Sequence, residues 1–253
     1  MMIDWYILAP AAFFAGVVDA VVGGGGLIQI PVLLSTFPQT AIPTLFGTNK
    51  VSSIAGTSAA LWHYARSVQI PWRLVLPATA AALGGAWIGA ALVAWMPREA
   101  MRPLVVIMML TVAIYTFRRK DFGQSETHES KPSDPWWGAL FGLLIGIYDG
   151  FFGPGTGSFL IFGFVRVFGM DFVRASASAK VINVATNISA IGFFASHGPI
   201  LWTVGLVMAA CNLVGAQVGT HLALKHGAGF IRKAFLVVVA ILIVKQLADL
   251  LAG

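Results

Sequence analysis

Charged side chains are scarce in this sequence. Only 10% of the 253 residues are Asp, Glu, Lys or Arg, whereas 58% are hydrophobic. Because a soluble domain carries about 25% charged residues, a water-exposed surface of ordinary composition is excluded. Lipid is therefore the expected solvent for most of the chain, and the composition predicts an all-α polytopic membrane protein.

Cysteine is almost absent as well. Cys211 is the single cysteine, which excludes an internal disulfide and a cysteine-ligated metal cluster. The histidines show no metal-ligand spacing, so neither a metal nor a cofactor is expected. The net charge of +6 is assigned to Lys and Arg in loops that set the membrane topology, and no nucleic-acid partner is expected.

Long apolar runs are present instead. A helix that spans a bilayer needs about 20 predominantly apolar residues. Apolar runs cover residues 72–95, 103–117, 136–152, 201–224 and 234–251. The lipid bilayer is thus an expected partner, and the cell inner (cytoplasmic) membrane is the expected location of this multi-pass chain.

A pattern of the first half recurs in the second half. Asp19 precedes the glycine run 23–26, and Asp149 precedes the sequence Gly-Pro-Gly at 153–155, which is an offset of 130 residues. The same offset relates other scarce residue types, namely Lys50 and Lys180, Trp72 and Trp202, and Arg102 and Arg232. Such matches predict a duplicated unit.

Domain boundaries follow from this duplication. Residues 1–117 form the first transmembrane repeat, residues 136–253 form the second, and the polar stretch 118–135 is predicted to be a flexible cytoplasmic linker. Each repeat has about four to five hydrophobic segments, some too short to span comfortably. The short pieces are 27–37 and 50–64, then 157–168 and 180–196. Each is a half-helix, a re-entrant arm or part of a broken span.

Loop charges constrain the topology. Basic residues at 66–73, 118–131 and 225–233 are predicted to face the cytoplasm. Arg166 and Arg174 join them only if each half crosses the membrane an odd number of times, which gives inverted repeats with the N-terminus outside. Inverted repeats are favoured because transporters with broken helices commonly use them. A parallel four-plus-four arrangement stays open.

The glycine breaks form the first candidate site. Glycine in a helix interior costs about 1 kcal/mol relative to alanine, and unwound backbone in a bilayer is tolerated only inside protein or along a wet cavity. Open amides and helix N-termini attract anions, and matching breaks in two halves indicate a midplane site. The candidates are Gly23, Gly24, Gly25, Gly26, Gly153, Gly155, Thr156 and Gly157. The alternative is that the glycines only permit tight packing or a kink.

Two polar stripes form the second candidate site. Their residues share the spacing i, i+3 and i+7, and they are Lys50, Ser53 and Thr57, then Lys180, Asn183 and Asn187. Helices are predicted to start near the two lysines, with N-caps among Thr48, Asn49, Ser176 and Ser178. A lysine at a helix start opposes the helix dipole unless a bound anion lies between them. The alternative is a snorkelling lysine at the membrane surface.

Two carboxylates lie within apolar segments. Asp19 and Asp149 each come four residues before a break, and an intramembrane carboxylate is a functional candidate by default. Each is predicted to pair with Lys50 or Lys180, to cap a broken helix, or to carry a coupling proton. A structural salt bridge is favoured at least as much as a proton relay.

These motifs resemble one known family. The stretches AGVVDAVVGGGGLIQIPVL and AIPTLFGTNKVSSIAG, with GIYDGFFGPGTGSFLIF and ASASAKVINVATNISA in the second half, resemble the sulfite exporter TauE/SafE family, also called the 4-toluene sulfonate uptake permease family. The resemblance covers nearly the whole chain. It implies that the glycines of both breaks, with Thr48, Asn49, Lys50, Lys180, Asn183 and Asn187, bind substrate. Ala179 stands where the first half has Asn49, so the two sites need not be equivalent.

The resemblance implies secondary transport of a small anion such as sulfite, sulfoacetate or a related sulfonate. Helix N-termini, open amides and two lysines would hold the anion, and alternating access would come from one repeat moving against the other. An anion channel is the alternative, followed by an accessory membrane subunit. An enzyme is not expected, because no nucleophile, base and orienting group are found together.

Overall fold

A computed structural model of the chain describes residues 4–97 and 134–226, with scattered helical residues between 100 and 114 and between 240 and 244. Every regular element in this part of the chain is an α-helix, as predicted. The helices are α1 (Trp5–Val22), α2 (Gly26–Thr36), α3 (Ile42–Ala65), α4 (Trp72–Ala94), α5 (Asp134–Phe151), α6 (Thr156–Arg166), α7 (Phe172–His197) and α8 (Trp202–His226). Most of the predicted linker 118–135, and the matched pair Arg102 and Arg232, lie outside the described residues.

The first four helices and the last four follow the same order. Helices α2, α3 and α4 begin at residues 26, 42 and 72, and helices α6, α7 and α8 begin at residues 156, 172 and 202. Each start in the second set therefore comes 130 residues after its counterpart. This is the offset that relates the scarce polar residues of the sequence.

Glycines on α5 bring it into close contact with α4. Gly142 and Gly146 lie against Ala78 and Ala82, and a Cβ added to either glycine would be 2.1 or 2.4 Å from the facing carbonyl oxygen. Small residues at every fourth position allow such an approach between helices in lipid. Residue numbers rise together along the contact, so α4 and α5 are parallel.

The same kind of contact joins α1 to α8. A Cβ on Gly215 would lie 2.0 Å from the carbonyl oxygen of Phe13, and one on Gly219 would lie 2.4 Å from that of Val17. Helices α1 and α8 are therefore also parallel. In both pairs, the first helix of one half packs on the fourth helix of the other half.

The two polar helices α3 and α7 cross at the centre. Thr48 on α3 accepts a hydrogen bond from the backbone N–H of Leu201, which precedes α8, and Gly56 lies against Asn212 further along α8. Helix α3 therefore runs parallel to α8. Helices α3 and α7 run antiparallel. Gly47 near the start of α3 contacts Phe194 near the end of α7, whereas Thr57 later in α3 and Lys180 in the first half of α7 both donate to Asp19 Oδ2.

Helix α2 returns the chain between two parallel helices. Helices α1 and α3 both run parallel to α8, so the end of α1 and the start of α3 lie at opposite ends of the bundle. The 11 residues of α2 cover this return, and Gly25 lies beside the carbonyl oxygen of Ala15 and the Cβ of Asp19.

One prediction about the short pieces is wrong. The stretches 50–64 and 180–196 are not separate short segments, because they belong to continuous helices of 24 and 26 residues. Pro43 lies in the first turn of α3, where its missing N–H costs nothing. Both helices therefore begin eight residues before the lysine that was taken to mark their start.

The outer surface of the bundle is apolar. Trp72, Leu76, Ile88 and Leu92 of α4 are all about half exposed. By length and hydropathy alone, two helices of the described chain qualify as membrane spans, Trp72–Ala94 and Trp202–Lys225. Helices with an apolar exterior and buried polar residues at the centre match a lipid environment.

Candidate functional site

The two glycine breaks touch each other. Gly23 ends α1 with φ at 75°, and Gly153 and Gly155 flank the second break with φ at 86° and 84°. This left-handed backbone is strained for any residue with a Cβ. A Cβ on Gly23 would also lie 2.3 Å from the Cα of Gly157. The tips of the hairpins α1–α2 and α5–α6 therefore meet backbone against backbone.

The first break leaves backbone donors unused. The N–H groups of Leu27, Ile28 and Gln29 donate to the carbonyls of Gly24 and Gly25 at 3.0–3.2 Å, which closes the first turn of α2. Within the described chain, the N–H groups of Gly24 and Gly25 themselves donate to no backbone carbonyl. Unused donors at a helix start favour a bound anion.

Two buried ion pairs lie next to the breaks. Lys50 Nζ on α3 is 2.8 Å from Asp149 Oδ2 on α5, and Lys180 Nζ on α7 is 3.0 Å from Asp19 Oδ2 on α1. Both lysines are almost fully buried. Each pair joins the first helix of one half to the third helix of the other, so both ion pairs connect the two halves.

The two ion pairs are not equally supported. Lys180 also donates to the backbone carbonyl of Asp19, and the Thr57 hydroxyl donates to Asp19 Oδ2 at 3.2 Å. Among the described residues, Lys50 is the only charged partner of Asp149, and no hydroxyl or amide donates to that carboxylate. Asp19 is therefore held by several groups and Asp149 by a single contact.

A small polar cavity lies between these pairs and the breaks. It is lined by Asp19, Gly23, Gly26, Asn49, Lys50, Ser53, Thr57, Asp149, Gly153, Asn183 and Asn187. Its volume of about 20 Å³ is of the size that holds a water molecule, since about 10–15 Å³ is the minimum. Side chains or helices must move before a larger solute can enter.

Most of the polar candidates from the sequence line this cavity. Both stripes contribute, except that Lys180, which is bound to Asp19, is not among the lining residues. Other candidates lie beside the cavity without lining it, namely Gly24, Gly25, Thr48, Gly155, Thr156 and Gly157. The hydroxyls of Thr48 and Thr156 donate to nearby backbone carbonyls at 2.7 Å, and they stabilise the helices and the break.

The prediction of N-caps beside the lysines is wrong. Thr48 and Asn49 lie inside α3, and Ser176 and Ser178 lie inside α7. The N-cap of α7 is Asp171, whose side chain accepts a hydrogen bond from the N–H of Arg174. The lysines therefore do not face a dipole at the start of their own helix, and an aspartate is their partner instead.

Sequence reasoning overlooked Asn212. It lies in the apolar run of α8, is buried, and donates from Nδ2 to the carbonyl of Ala12 on α1 at 3.1 Å. An amide in an apolar membrane helix is a signal for an interhelical hydrogen bond. Asn212 belongs to the α1–α8 contact and not to the cavity.

Several buried polar atoms of the first half have no hydrogen-bond partner in the described protein. They are the amide of Gln29, Asn49 Oδ1, Ser52 Oγ and Tyr64 Oη. The residues 130 positions later are Phe159, Ala179, Ile182 and Phe194, which have no side-chain polar atoms. Ser176 Oγ and Asn212 Oδ1 of the second half also lack a partner, and the residues 130 positions earlier are Phe46 and Ala82. Each half thus buries such polar atoms, at different positions.

Comparison with known proteins decides the family. The family model described as "Sulfite exporter TauE/SafE" matches residues 8–246. The chain belongs to the sulfite exporter TauE/SafE family. The predicted resemblance is therefore confirmed, and the protein is a membrane transporter of this family.

Relatives within the TauE/SafE family share almost the full length of the chain. A probable membrane transporter protein, ORF9 of Sinorhizobium sp, is 36% identical over 96% of this chain and 92% of its own length. The probable membrane transporter protein YfcA of Escherichia coli K12 is 30% identical over 96% of this chain and 89% of its own length. No solved structure matches the chain significantly.

Proposed function

We propose that the protein is a secondary transporter that moves a small anion across the inner membrane by alternating access. The anion is a sulfur oxyanion or an organosulfonate, such as sulfite or sulfoacetate. One observation carries the proposal. The glycine breaks of both halves meet beside a cavity lined by a lysine and three asparagines, and the first break has the unused backbone donors of Gly24 and Gly25.

The chemistry of the lining suits an oxyanion. The Lys50 ammonium group has three donors, and the amides of Asn183 and Asn187 have two each. Ser53 and Thr57 add hydroxyl groups from the same stripe of α3 as Lys50, and the Thr57 hydroxyl donates to Asp19. Several donors from α3 and α7 thus line one cavity, where they can bind the three oxygens of a sulfite or sulfonate group.

Helix directions support inverted repeats. Helices α1, α3 and α8 run parallel to one another, and α7 runs antiparallel to α3. Helix α7 is parallel to α4, because Ser189 donates to the carbonyl of Leu83 and Trp87 contacts Phe193 further along. Since α5 is parallel to α4, each helix of the first half is antiparallel to its counterpart, which is the plan of many secondary transporters.

Loop charges then give an orientation. Arg66 and Arg73 lie between α3 and α4. Because α7 is antiparallel to α3, the start of α7 with Arg174, and Arg166 before it, lie at the same end of the bundle. The positive-inside rule assigns this end to the cytoplasm. The N-terminus then lies outside, because α1 runs in the same direction as α3.

Uptake into proteoliposomes tests this function. The purified full-length protein is expected to take up sulfite or a small sulfonate with saturable kinetics and against a concentration gradient. Lys50→Ala removes the cationic donor of the cavity and is expected to raise the half-saturation concentration at least about tenfold, since a charged hydrogen bond contributes about 1.5–3 kcal/mol. Lys225→Ala is the matched control, because Lys225 is exposed near the end of α8.

Two outcomes would contradict the proposal. The absence of flux for every sulfur oxyanion, sulfonate and carboxylate offered would leave an accessory membrane subunit as the better interpretation. Flux that never saturates and only follows the electrochemical gradient would indicate an anion channel, because a channel cannot drive its substrate uphill.

A further inference from the structure

We propose that the site takes up one proton with each singly charged anion, and that Asp149 is the residue that holds this proton. The inference rests on the proposed transport function and specifies what drives it. It is argued from the charge balance of the cavity and from the difference between the two ion pairs.

The site is electrically neutral before an anion enters. Its charged groups are Lys50, Lys180, Asp19 and Asp149, which give two positive and two negative charges. The other lining residues are Gly, Asn, Ser and Thr. An entering anion would leave one uncompensated negative charge in a buried place, which is strongly unfavourable. A positive charge must therefore accompany the anion.

A proton satisfies this requirement better than a metal cation. A metal cation would need several oxygen ligands, but both carboxylates are already bound to ammonium groups within 3.0 Å. Those ammonium groups would also repel a second cation. A proton adds directly to a carboxylate oxygen, giving a neutral carboxylic acid, and it needs no further space in a cavity of about 20 Å³.

Asp149 is the better proton acceptor of the two carboxylates. Its only charged partner among the described residues, Lys50, lines the cavity and can turn to the anion. When Lys50 binds the anion, Asp149 loses its counterion, and protonation removes the resulting charge. Asp19 keeps its partners, because Lys180 lies outside the cavity lining and the Thr57 hydroxyl also donates to it.

Apart from Asp19, the described elements around Asp149 offer no competing acceptor. Helix α4 packs along α5, and its one charged residue is Arg73, near the start of the helix. Helix α7 presents Lys180, which is bound to Asp19, and α6 carries no charge before Arg166. Across the cavity, α1 presents Asp19. On α5 itself, the Tyr148 hydroxyl donates to the carbonyl of Pro154 at 2.6 Å.

Anion binding at several pH values tests the inference. A small alkanesulfonate is the probe, because it stays singly charged over the whole pH range. If binding takes up one proton, the dissociation constant of the purified wild-type protein rises about tenfold for each pH unit above the range in which Asp149 is protonated. In Asp149→Asn the amide replaces a protonated carboxyl group, and the dissociation constant is expected to be independent of pH. Asp19→Asn is expected to retain the pH dependence.

A second measurement needs no variant. Mixing the wild-type protein with the sulfonate in weakly buffered solution is expected to take up one proton per bound anion, as a pH-indicator dye reports. This keeps the inference testable if Asp149→Asn does not fold. In proteoliposomes, an inwardly directed proton gradient is expected to drive uphill uptake, and a membrane potential alone is not.

The possible failures are distinct. If the wild-type protein neither binds nor transports any anion, the proposed function itself is overturned. If it binds the sulfonate with no pH dependence and no proton uptake, anion binding stands and the proton inference is overturned. If the pH dependence persists in Asp149→Asn and disappears in Asp19→Asn, the assignment to Asp149 is wrong.

Discussion

The two halves share one order of helices but treat their charges differently. In the first half, Lys50 lines the cavity and contacts a carboxylate that has no other donor among the described residues. In the second half, the equivalent Lys180 is completely buried and is bound to both the side chain and the backbone of Asp19. The comparison indicates that a repeated fold can keep one ion pair as a fixed structural contact and leave the other available for exchange.

The buried, uncharged polar atoms that lack a partner lie at different positions in the two halves. The first half buries polar atoms of Gln29, Asn49, Ser52 and Tyr64 without a partner among the described residues, whereas the equivalent residues of the second half are apolar. A buried donor or acceptor without a partner costs about 1–3 kcal/mol. The second half has its own unpartnered atoms, Ser176 Oγ and Asn212 Oδ1, whose counterparts are Phe46 and Ala82. Both halves therefore give up stability in this way, at different positions.

The largest loss of stability is expected when the fixed ion pair, Lys180 with Asp19, is broken. Lys180→Ala leaves Asp19 buried without its counterion, which costs about 3–5 kcal/mol for a broken buried pair. Thermal unfolding in detergent is expected to show this loss. Lys50→Ala should destabilise the protein less, because Asp149 faces the cavity and can take up a proton, and its main effect falls on anion affinity.

A double variant provides the control. Lys180→Ala combined with Asp19→Asn removes both charges and is expected to recover a large part of the lost stability. Equal destabilisation by Lys180→Ala and Lys50→Ala would contradict the distinction between a fixed and an exchangeable pair.

The glycine breaks of the two halves are also expected to differ in how much an alanine substitution destabilises the protein. Gly23→Ala places a Cβ 2.3 Å from the Cα of Gly157, and the left-handed backbone alone costs about 1–2 kcal/mol. Loss of folded protein in size-exclusion chromatography is therefore expected. In Gly153→Ala the nearest atom is the flexible Lys50 Nζ at 3.1 Å, so the effect is expected to be smaller.

Gly84→Ala is the matched control for these variants. Gly84 lies in α4, and a Cβ there meets nothing within 4 Å, so a gain of about 1 kcal/mol in helix stability is expected. A Gly23→Ala protein as stable as the wild type would show that the contact between the breaks is unimportant.

The smallest effect is expected from the hydroxyl of Tyr64. Tyr64→Phe copies the residue of the second half at Phe194 and removes a buried hydroxyl that has no partner among the described residues. Stability is therefore expected to stay the same or to rise by about 1 kcal/mol. By contrast, Thr48→Val removes the acceptor of the Leu201 N–H and is expected to lose about 1 kcal/mol. A loss in Tyr64→Phe as large as that in Thr48→Val would show that the hydroxyl has a stabilising partner.

Local patterns allowed much of this site to be predicted. Scarce residue types at an offset of 130 identified the matching segments, and glycine runs identified the breaks, because both signals are local in sequence. The polar stripes also follow from helical spacing. The family was identified from the same motifs, and the family model matches residues 8–246.

Contacts between distant elements could not be predicted. Thr48 resembles an N-cap in the sequence, but it accepts a hydrogen bond from Leu201, 153 residues later. Equally, no local signal tells that Lys180 meets both the carboxylate and the backbone carbonyl of Asp19 while Lys50 meets one carboxylate oxygen. These differences depend on how α1 packs against α7 and how α5 packs against α3. The spacing of residues along one helix does not specify this packing.

The exchange of partners between halves has a consequence for assembly. Neither Asp19 with Lys50 nor Asp149 with Lys180 is an ion pair, since each of these two carboxylates meets the ammonium group of the other half. A polypeptide containing one half would therefore find its complement only in a second polypeptide. If the gene were divided inside residues 118–133, the two fragments should each be unstable when produced alone and should recombine into a working transporter when produced together.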